Sequence, residues 1–520
     1  MDISRRSFVG GALAFGAWGT CEALGGSQLA ATAAGAINCA PPVTDAQGRV
    51  PPRLRFGMMS DVHIGGKPDA VETAEKVLRW FASENVDAVL CAGDVAHSGL
   101  IGELEKFAAV WYKVFPGGRA PDGRKVELMI STGNHDVDAW GGRWKNFTEA
   151  EMLAKRFCYK DNPEKTWQRL FGQKWEIIWR REVKGYTFIG SQWSSLKPPI
   201  EKYMKEHAQE FTSSQPFFYC QHQAPRGTCH GSYSAALSGD DLGETVRALS
   251  PFPNAVAFSG HSHCAISDER TVWQGAFTSI GAGCIHEGSG GFGYANVTAA
   301  WHSSYRKKLM ASLADPHPWG GDAKGGGCEL VEVFDDHLVV HRRSVAFGLP
   351  LGPAFVVPLP ARKDGPLDFA RRAAAPVAPQ FAPDATVAAT FCPKGHALEG
   401  VSFKGKPCIY VSFPRAKTVN GSRVFDYLIE ARCTTGGSQL AATAAGAINC
   451  APPVTREIVP VTRKIVAPGF AYPEACADLP GECLFTPEEL PVGKPIRFTV
   501  TPRDCFGRAG RPLIKEVTCS

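Results

Sequence analysis

Five short apolar runs constrain this chain more than any other feature, because each one stops at residue types that bind metal ions. RLRFGMMS runs into Asp61-Val62-His63, DAVLCAG into Asp94, and VELMISTG into Asn134-His135-Asp136. PFFYCQ runs into His222, and AVAFSG into His261-Ser262-His263. Segments with helical spacing lie between the early runs; in 69–86 the apolar positions include Ala70, Ala74, Val77, Leu78 and Phe81. Strands alternating with helices predict an α/β core. Ligands of open α/β sheets bind beyond the carboxyl ends of the strands, so the five loops are expected to meet on one rim.

Aspartate, histidine and one asparagine amide oxygen suit divalent manganese, iron or zinc, and no thiolate is needed. Two ions held a few ångströms apart can clamp a phosphoryl group, and a hydroxide held between them attacks in line. Gly93, Gly133 and Gly260 precede the ligands and permit the sharp turns such a rim requires.

The ordered set D-x-H, G-D, G-N-H-D, a single histidine after a strand, and G-H-x-H resembles the calcineurin-like metallophosphoesterases across 53–345. The resemblance implies a two-sheet β-sandwich core flanked by helices, in a domain spanning 50–346. It implies that Asp61, His63 and His263 bind a first divalent ion, that Asn134, His222 and His261 bind a second, and that Asp94 bridges them. His135 would face the substrate, stabilise charge on phosphorus and help protonate the leaving oxygen. Asp136 would orient His135. Asp61-Val62-His63 departs from the pattern of purple acid phosphatases, so no tyrosinate-bound ferric site is expected.

Three further residues are candidate substrate contacts: His97 in GDVAHSG, and Arg226 and His230 in the loop after His222. Trp140, Trp144 and Trp193 are candidate cleft walls, and the insertion 140–181, rich in tryptophan and arginine, reads as a lid.

The N-terminus, MDISRRSFVGGALAFGAWG, resembles a twin-arginine export signal, so 1–40 reads as a leader and spacer, and the mature chain as periplasmic or extracellular. No later segment reaches the roughly 20 apolar residues of a membrane span. Basic residues number 56 against 51 acidic ones, with no Lys/Arg-rich run, which argues against a nucleic-acid partner. One 20-residue segment occurs twice without a difference, at 25–44 and 436–455, and is assigned no function. The Pro/Ala-rich stretch 347–384 reads as a linker. Beyond it, 385–520 shows short alternating runs between turn residues, an all-β sandwich of fibronectin or immunoglobulin type with a loop insertion at 436–455. Cys91, Cys220 and Cys264 lie in apolar runs and read as buried thiols, whereas Cys476 and Cys483 are near enough in sequence to pair.

The expected activity is metal-dependent hydrolysis of a phosphomonoester or phosphodiester. The alternative is a non-catalytic envelope binding protein that uses the same fold, with its C-terminal sandwich contacting a glycan or protein.

Overall fold

The buried run LRFGMM forms strand β1 (Leu54–Met59), flanked in parallel by β2 (Ala88–Cys91), which in turn pairs with β3 (Glu127–Ile130). The computed structural model describes residues 50–137, 163–193, 200–230, 232, 243–285, 326–398, 401–434, 461–467, 470, 473–476 and 479–519. The leader 1–40, both copies of the 20-residue segment, Trp140, Trp144 and the lid up to 162 lie outside the described residues.

Helix α1 (Ala70–Ser83) buries the five apolar positions its spacing predicts: Ala70, Ala74, Val77, Leu78 and Phe81. It covers the outer face of the first sheet together with α2 (Ile101–Val114), which contributes Leu104, Phe107 and Trp111.

A second mixed sheet contains β4 (Ile178–Val183), β5 (Tyr186–Ser191), β6 (Phe217–Cys220), β7 (Ala255–Ser259), β8 (Val272–Gln274) and β9 (Thr278–Gly281). Its centre is parallel, with β5, β6, β7 and β9 adjacent in that order. The chain then returns to the first sheet through β10 (Gly327–Val333), β11 (His337–Ser344) and β12 (Phe355–Pro358), giving the order β12-β11-β10-β1-β2-β3.

The two sheets pack face to face through aromatic side chains. Phe56 on β1 meets Phe188, Phe218 and Phe258 on β5, β6 and β7, with ring centroids 5.3, 5.1 and 5.6 Å apart and rings edge-on. The core is therefore the expected two-sheet α/β sandwich.

The stretch 347–384 is not simply an extended linker. Phe355–Pro358 hydrogen-bonds to β11 as an edge strand, and Phe355 and Val357 enter the core between the sheets. Proline is tolerated there because one side of an edge strand needs no ladder partner.

Among the described residues, the sheets of the C-terminal region are antiparallel. Ala388–Cys392, Cys408–Phe413 and Gly481–Phe485 form one sheet. Val461–Val466, Asp426–Cys433, Pro495–Arg503 and Leu513–Thr518 form another. Both contribute to one core that includes Ile409, Val411, Tyr427, Ile429, Phe485 and Phe498. This region packs on the segment that follows His263: Ala265 joins Phe425, Phe470 and Cys505 in one cluster, and the Arg270 guanidinium lies 4.6 Å from the Phe425 ring centre. Cys91, Cys220, Cys264 and Cys483 are buried free thiols, and the Cys476 side chain lies outside the described ones. Among the described residues no helix is long and apolar enough to cross a membrane.

Glu329 on β10 is fully buried, and neither carboxyl oxygen has a hydrogen-bond partner. Burial pushes its pKa up to about 8, with Arg342 opposing the rise. The folded chain thus keeps a proton that the unfolded chain releases near the ordinary value of 4.5. This contribution to stability is complete below that value and is lost as pH rises toward 8. Glu329→Gln should therefore raise stability at pH 8.5, by about 1–3 kcal/mol, and leave it nearly unchanged at pH 5. Thermal melts at the two pH values check this; an equal effect at both would contradict it.

Candidate metal centre

The carboxyl ends of β1, β2, β3, β6 and β7 each deliver the residues the sequence marks there. A backbone feature common to these loops aims the side chains. Asp61, His63, Asp94, His261 and His263 have φ of 54°, 48°, 51°, 65° and 50°. Only three other non-glycine residues among those described, Asn85, Lys184 and Asn420, have positive φ. This left-handed conformation costs about 1–2 kcal/mol per residue outside glycine, and such strain persists where the surroundings hold it in place. In each H-x-H or D-x-H pair the intervening residue, Val62 or Ser262, is buried.

Two glycines let the loops approach. A Cβ on Gly133 would collide with the Asp94 carboxylate and backbone, and one on Gly260 with the Ser60 and Asp61 side chains.

Each carboxylate has one oxygen tied to the protein. Asp61 Oδ2 accepts from Ser60 Oγ at 2.6 Å and from the His261 N–H at 3.0 Å. Its Oδ1 is buried and lacks an aligned hydrogen-bond donor, although His263 Nε2 lies 3.0 Å away. Asp94 Oδ1 accepts from the His135 N–H at 2.9 Å. Its Oδ2 is left among three imidazoles: His222 Nε2 at 3.1 Å, His63 Nε2 at 3.8 Å and His135 Nε2 at 4.0 Å. The amide oxygen of Asn134, at the start of the single turn α3 (Asn134–Val137), is likewise buried without a partner.

The candidate ligand atoms fall into three groups, Asp61–His63–His263, Asp94–His222–His261 and the all-histidine His63–His97–His135, each with its atoms within 4.8 Å of one another. In the first, His63 Nε2 and His263 Nε2 are 3.2 Å apart; in the second, His261 Nδ1 and His222 Nε2 are 3.1 Å apart. Imidazoles at such spacing, beside buried carboxylate oxygens, fit divalent cations.

The electrostatics agree. Burial opposes ionisation of Asp61, yet the His263 charge outweighs it and holds the group at about 2. Asp94 is likewise held well below the usual range by His222 against the effect of burial. Burial keeps His63 neutral, and burial with the neighbouring His222 brings His261 down to about 3. Burial also opposes charging of His222, but Asp94 raises it to about 9. Ionised carboxylates and neutral imidazoles are the forms that ligate, and a cation would displace the His222 proton. The His222 Nδ1–H donates to the Ala92 carbonyl at 2.6 Å, which leaves Nε2 for a ligand bond.

Residues 54–265 match the family model for calcineurin-like phosphoesterases. That region is thus similar to the calcineurin-like phosphoesterases. Among solved structures the chain is similar to a dimetal phosphatase from Danio rerio, at 10% identity over 59% of this chain and 99% of that one, with a TM-score of 0.35. It is also similar to a purple acid phosphatase from yellow lupin (Lupinus luteus) seeds, at 16% identity over 59% of this chain and 53% of that one, with a TM-score of 0.33. No curated protein matches the chain.

Within the matched residues, Asp136 does not orient His135. Its Oδ1 accepts from the Ala96 N–H at 2.7 Å and its Oδ2 from the Gly133 N–H at 2.8 Å. It therefore ties the loop after β2 to the loop after β3, and burial beside Asp94 raises its pKa to about 7. The His135 Nδ1–H donates instead to the main-chain oxygen of His97 at 2.7 Å.

His97 itself lies against His63 and His135. Arg226 is exposed in the turn after His222. His230 turns toward the segment beyond His263, where its N–H donates to the Arg270 oxygen and its ring lies 3.9 Å from Asp268. The structure thus brings His97, but not His230, into the ligand cluster. Trp193 packs its ring 5.9 Å from His222 and 6.0 Å from His261. The sequence offered no signal for Ser60 Oγ or the Ala92 carbonyl, because neither is distinctive as a residue type.

Manganese added to chelator-stripped protein should raise its melting temperature, since free ion at 100 times its Kd stabilises by about 2.7 kcal/mol. Asp94→Asn should remove most of that shift, because its Oδ2 lies 3.1 Å from His222 in one group and 3.8 Å from His63 in the other. An undiminished shift in Asp94→Asn would place the ions elsewhere.

Proposed function

We propose that this protein is a phosphoester hydrolase that works with two divalent metal ions, manganese, iron or zinc. The observation that carries the reading is Asp94 Oδ2, 3.1 Å from His222 in one ligand group and 3.8 Å from His63 in the other, with Asp61 Oδ1 and Asn134 Oδ1 buried and without an aligned donor. Asp61, His63 and His263 would hold one ion; Asn134, His222 and His261 the other; Asp94 would contact both. When bound, the ions supply Lewis-acid polarisation of the phosphoryl group and an activated water as nucleophile.

The chain's own residues do the rest. The His97 carbonyl holds the proton of His135 on Nδ1, so Nε2 is the nitrogen on the side of Asp94. With Nε2 also protonated, His135 as an imidazolium steadies charge on the phosphoryl oxygens and gives its Nε2 proton to the departing oxygen, returning to the neutral ring with its proton on Nδ1. Asp136 keeps the His135 loop in register with the Asp94 loop by holding both backbones. The twin-arginine-type leader at 1–40 would export the chain, and the β-sheets beyond 385 form an accessory domain.

The test pairs metal analysis with hydrolysis of p-nitrophenyl phosphate and bis-p-nitrophenyl phosphate, with and without chelator. Two metals per chain and chelator-sensitive turnover are expected, and the preferred ester assigns monoesterase or diesterase. His135→Ala should lower kcat by about 10²–10⁴-fold with metal content retained. Neither metal nor turnover in the native chain would favour the non-catalytic binding protein.

A further inference from the structure

His97 belongs to neither of the two groups that contain a carboxylate, but clusters with His63 and His135, one a candidate ligand and the other proposed to face the substrate. Its ring Nδ1 lies 3.3 Å from His63 Nδ1, with ring centroids 5.3 Å apart. Its main-chain oxygen accepts from His135 Nδ1. The backbone of His97 is fixed, its N–H donating to the Ile64 oxygen at 3.0 Å while Asp136 holds the preceding amide. The ring is seated over Gly66, where a Cβ would come within 2.6 Å of His97 Nδ1. The loop after β1 therefore leaves room for this imidazole.

The two nitrogens of His63 have different surroundings. Nε2 faces Asp61 Oδ1 and Asp94 Oδ2, each at 3.8 Å, and His263 Nε2 at 3.2 Å. A neutral imidazole that ligates through Nε2 must carry its proton on Nδ1. That Nδ1–H points at His97 Nδ1, so His97 must offer a lone pair there and keep its own proton on Nε2. A partner that accepts from the outer N–H of a metal-bound histidine sets both its tautomer and its ring orientation.

We propose that the His97 side chain is a positioning residue of the metal centre: by accepting from His63 Nδ1–H it locks His63 as an Nε2 ligand of the first ion. This rests on the metal-centre reading of Asp61, His63 and His263, but not on the identity of the reaction. It also separates two jobs within one residue. The ring acts on His63, whereas the carbonyl, present whatever the side chain, acts on His135.

The test measures manganese binding to the full chain by the electron paramagnetic resonance of free aqueous Mn²⁺, comparing wild type, His97→Ala and His97→Asn. The asparagine amide oxygen reaches roughly the place of Nδ1 and can accept the same hydrogen bond. His97→Ala should weaken the first manganese by about 10–100-fold, as losses of such outer partners do. His97→Asn should bind within about threefold of wild type. Melting in chelator shows that each variant is folded, and His97→Asn carries the comparison if His97→Ala is not.

Wild-type affinity in His97→Ala would overturn the proposal. So would His97→Asn binding as weakly as His97→Ala, or, if His97→Ala does not fold, more than tenfold more weakly than wild type. A kcat at saturating manganese that falls further than the affinity in His97→Ala would also overturn it, since the ring would then be acting on substrate. If the native chain binds manganese but hydrolyses nothing, the proposed function fails and the binding comparison still decides the role of His97.

Discussion

The structure depends on one buried carboxylate. Asp94 sits at the end of β2 with one oxygen held by a backbone N–H and the other surrounded by imidazoles from loops after β1, β3 and β6. A charge in that position is costly unless it is paired and hydrogen-bonded. The protein meets that cost by assembling around it. His222 lends positive charge, Gly133 lends space, and left-handed turns at five candidate ligand positions aim side chains at a common point.

That assembly requires two sheets to be held in alignment. Asp61, Asp94 and Asn134 follow strands of the first sheet, whereas His222, His261 and His263 follow strands of the second. The aromatic contacts of Phe56 with Phe188, Phe218 and Phe258 lock the sheets a short distance below the ligand loops. Close packing makes this joint stiff, since protein interiors are as dense as organic crystals. The C-terminal sheets add a second brace through Arg270 and Phe425, immediately downstream of His263.

Much of the site was legible in the sequence, because strand ends and ligand types are local properties. The apolar run before Asp94, the helical spacing of α1 and the order of the motifs all appear in the structure where the pattern puts them. What was hidden is non-local or concerns the backbone. The role of Asp136 was misread because its neighbour in sequence, His135, is not its partner in space; its partners are main-chain amides at 96 and 133. The strand Phe355–Pro358 was hidden by flanking prolines, which mark linkers and edge strands alike. Positive φ at aspartate and histidine leaves no mark in residue identity, and the contact of His97 with His63 depends on how two loops cross.

The left-handed turns also shape how this protein responds to mutation. Only a few residue types occupy that region without strain, glycine and asparagine foremost among them. At Asp61, His63, Asp94, His261 and His263, substitutions most compatible with the backbone are therefore often ones that remove or weaken a ligand. Bulky β-branched replacements would strain the fold as well as the centre. On the proposed reading, the chain thus has a short mutational route from a metal-binding protein to a stable, inert scaffold. For the proposed hydrolase, loss of activity is expected to be separable from loss of structure, with a folded but silent descendant a single substitution away.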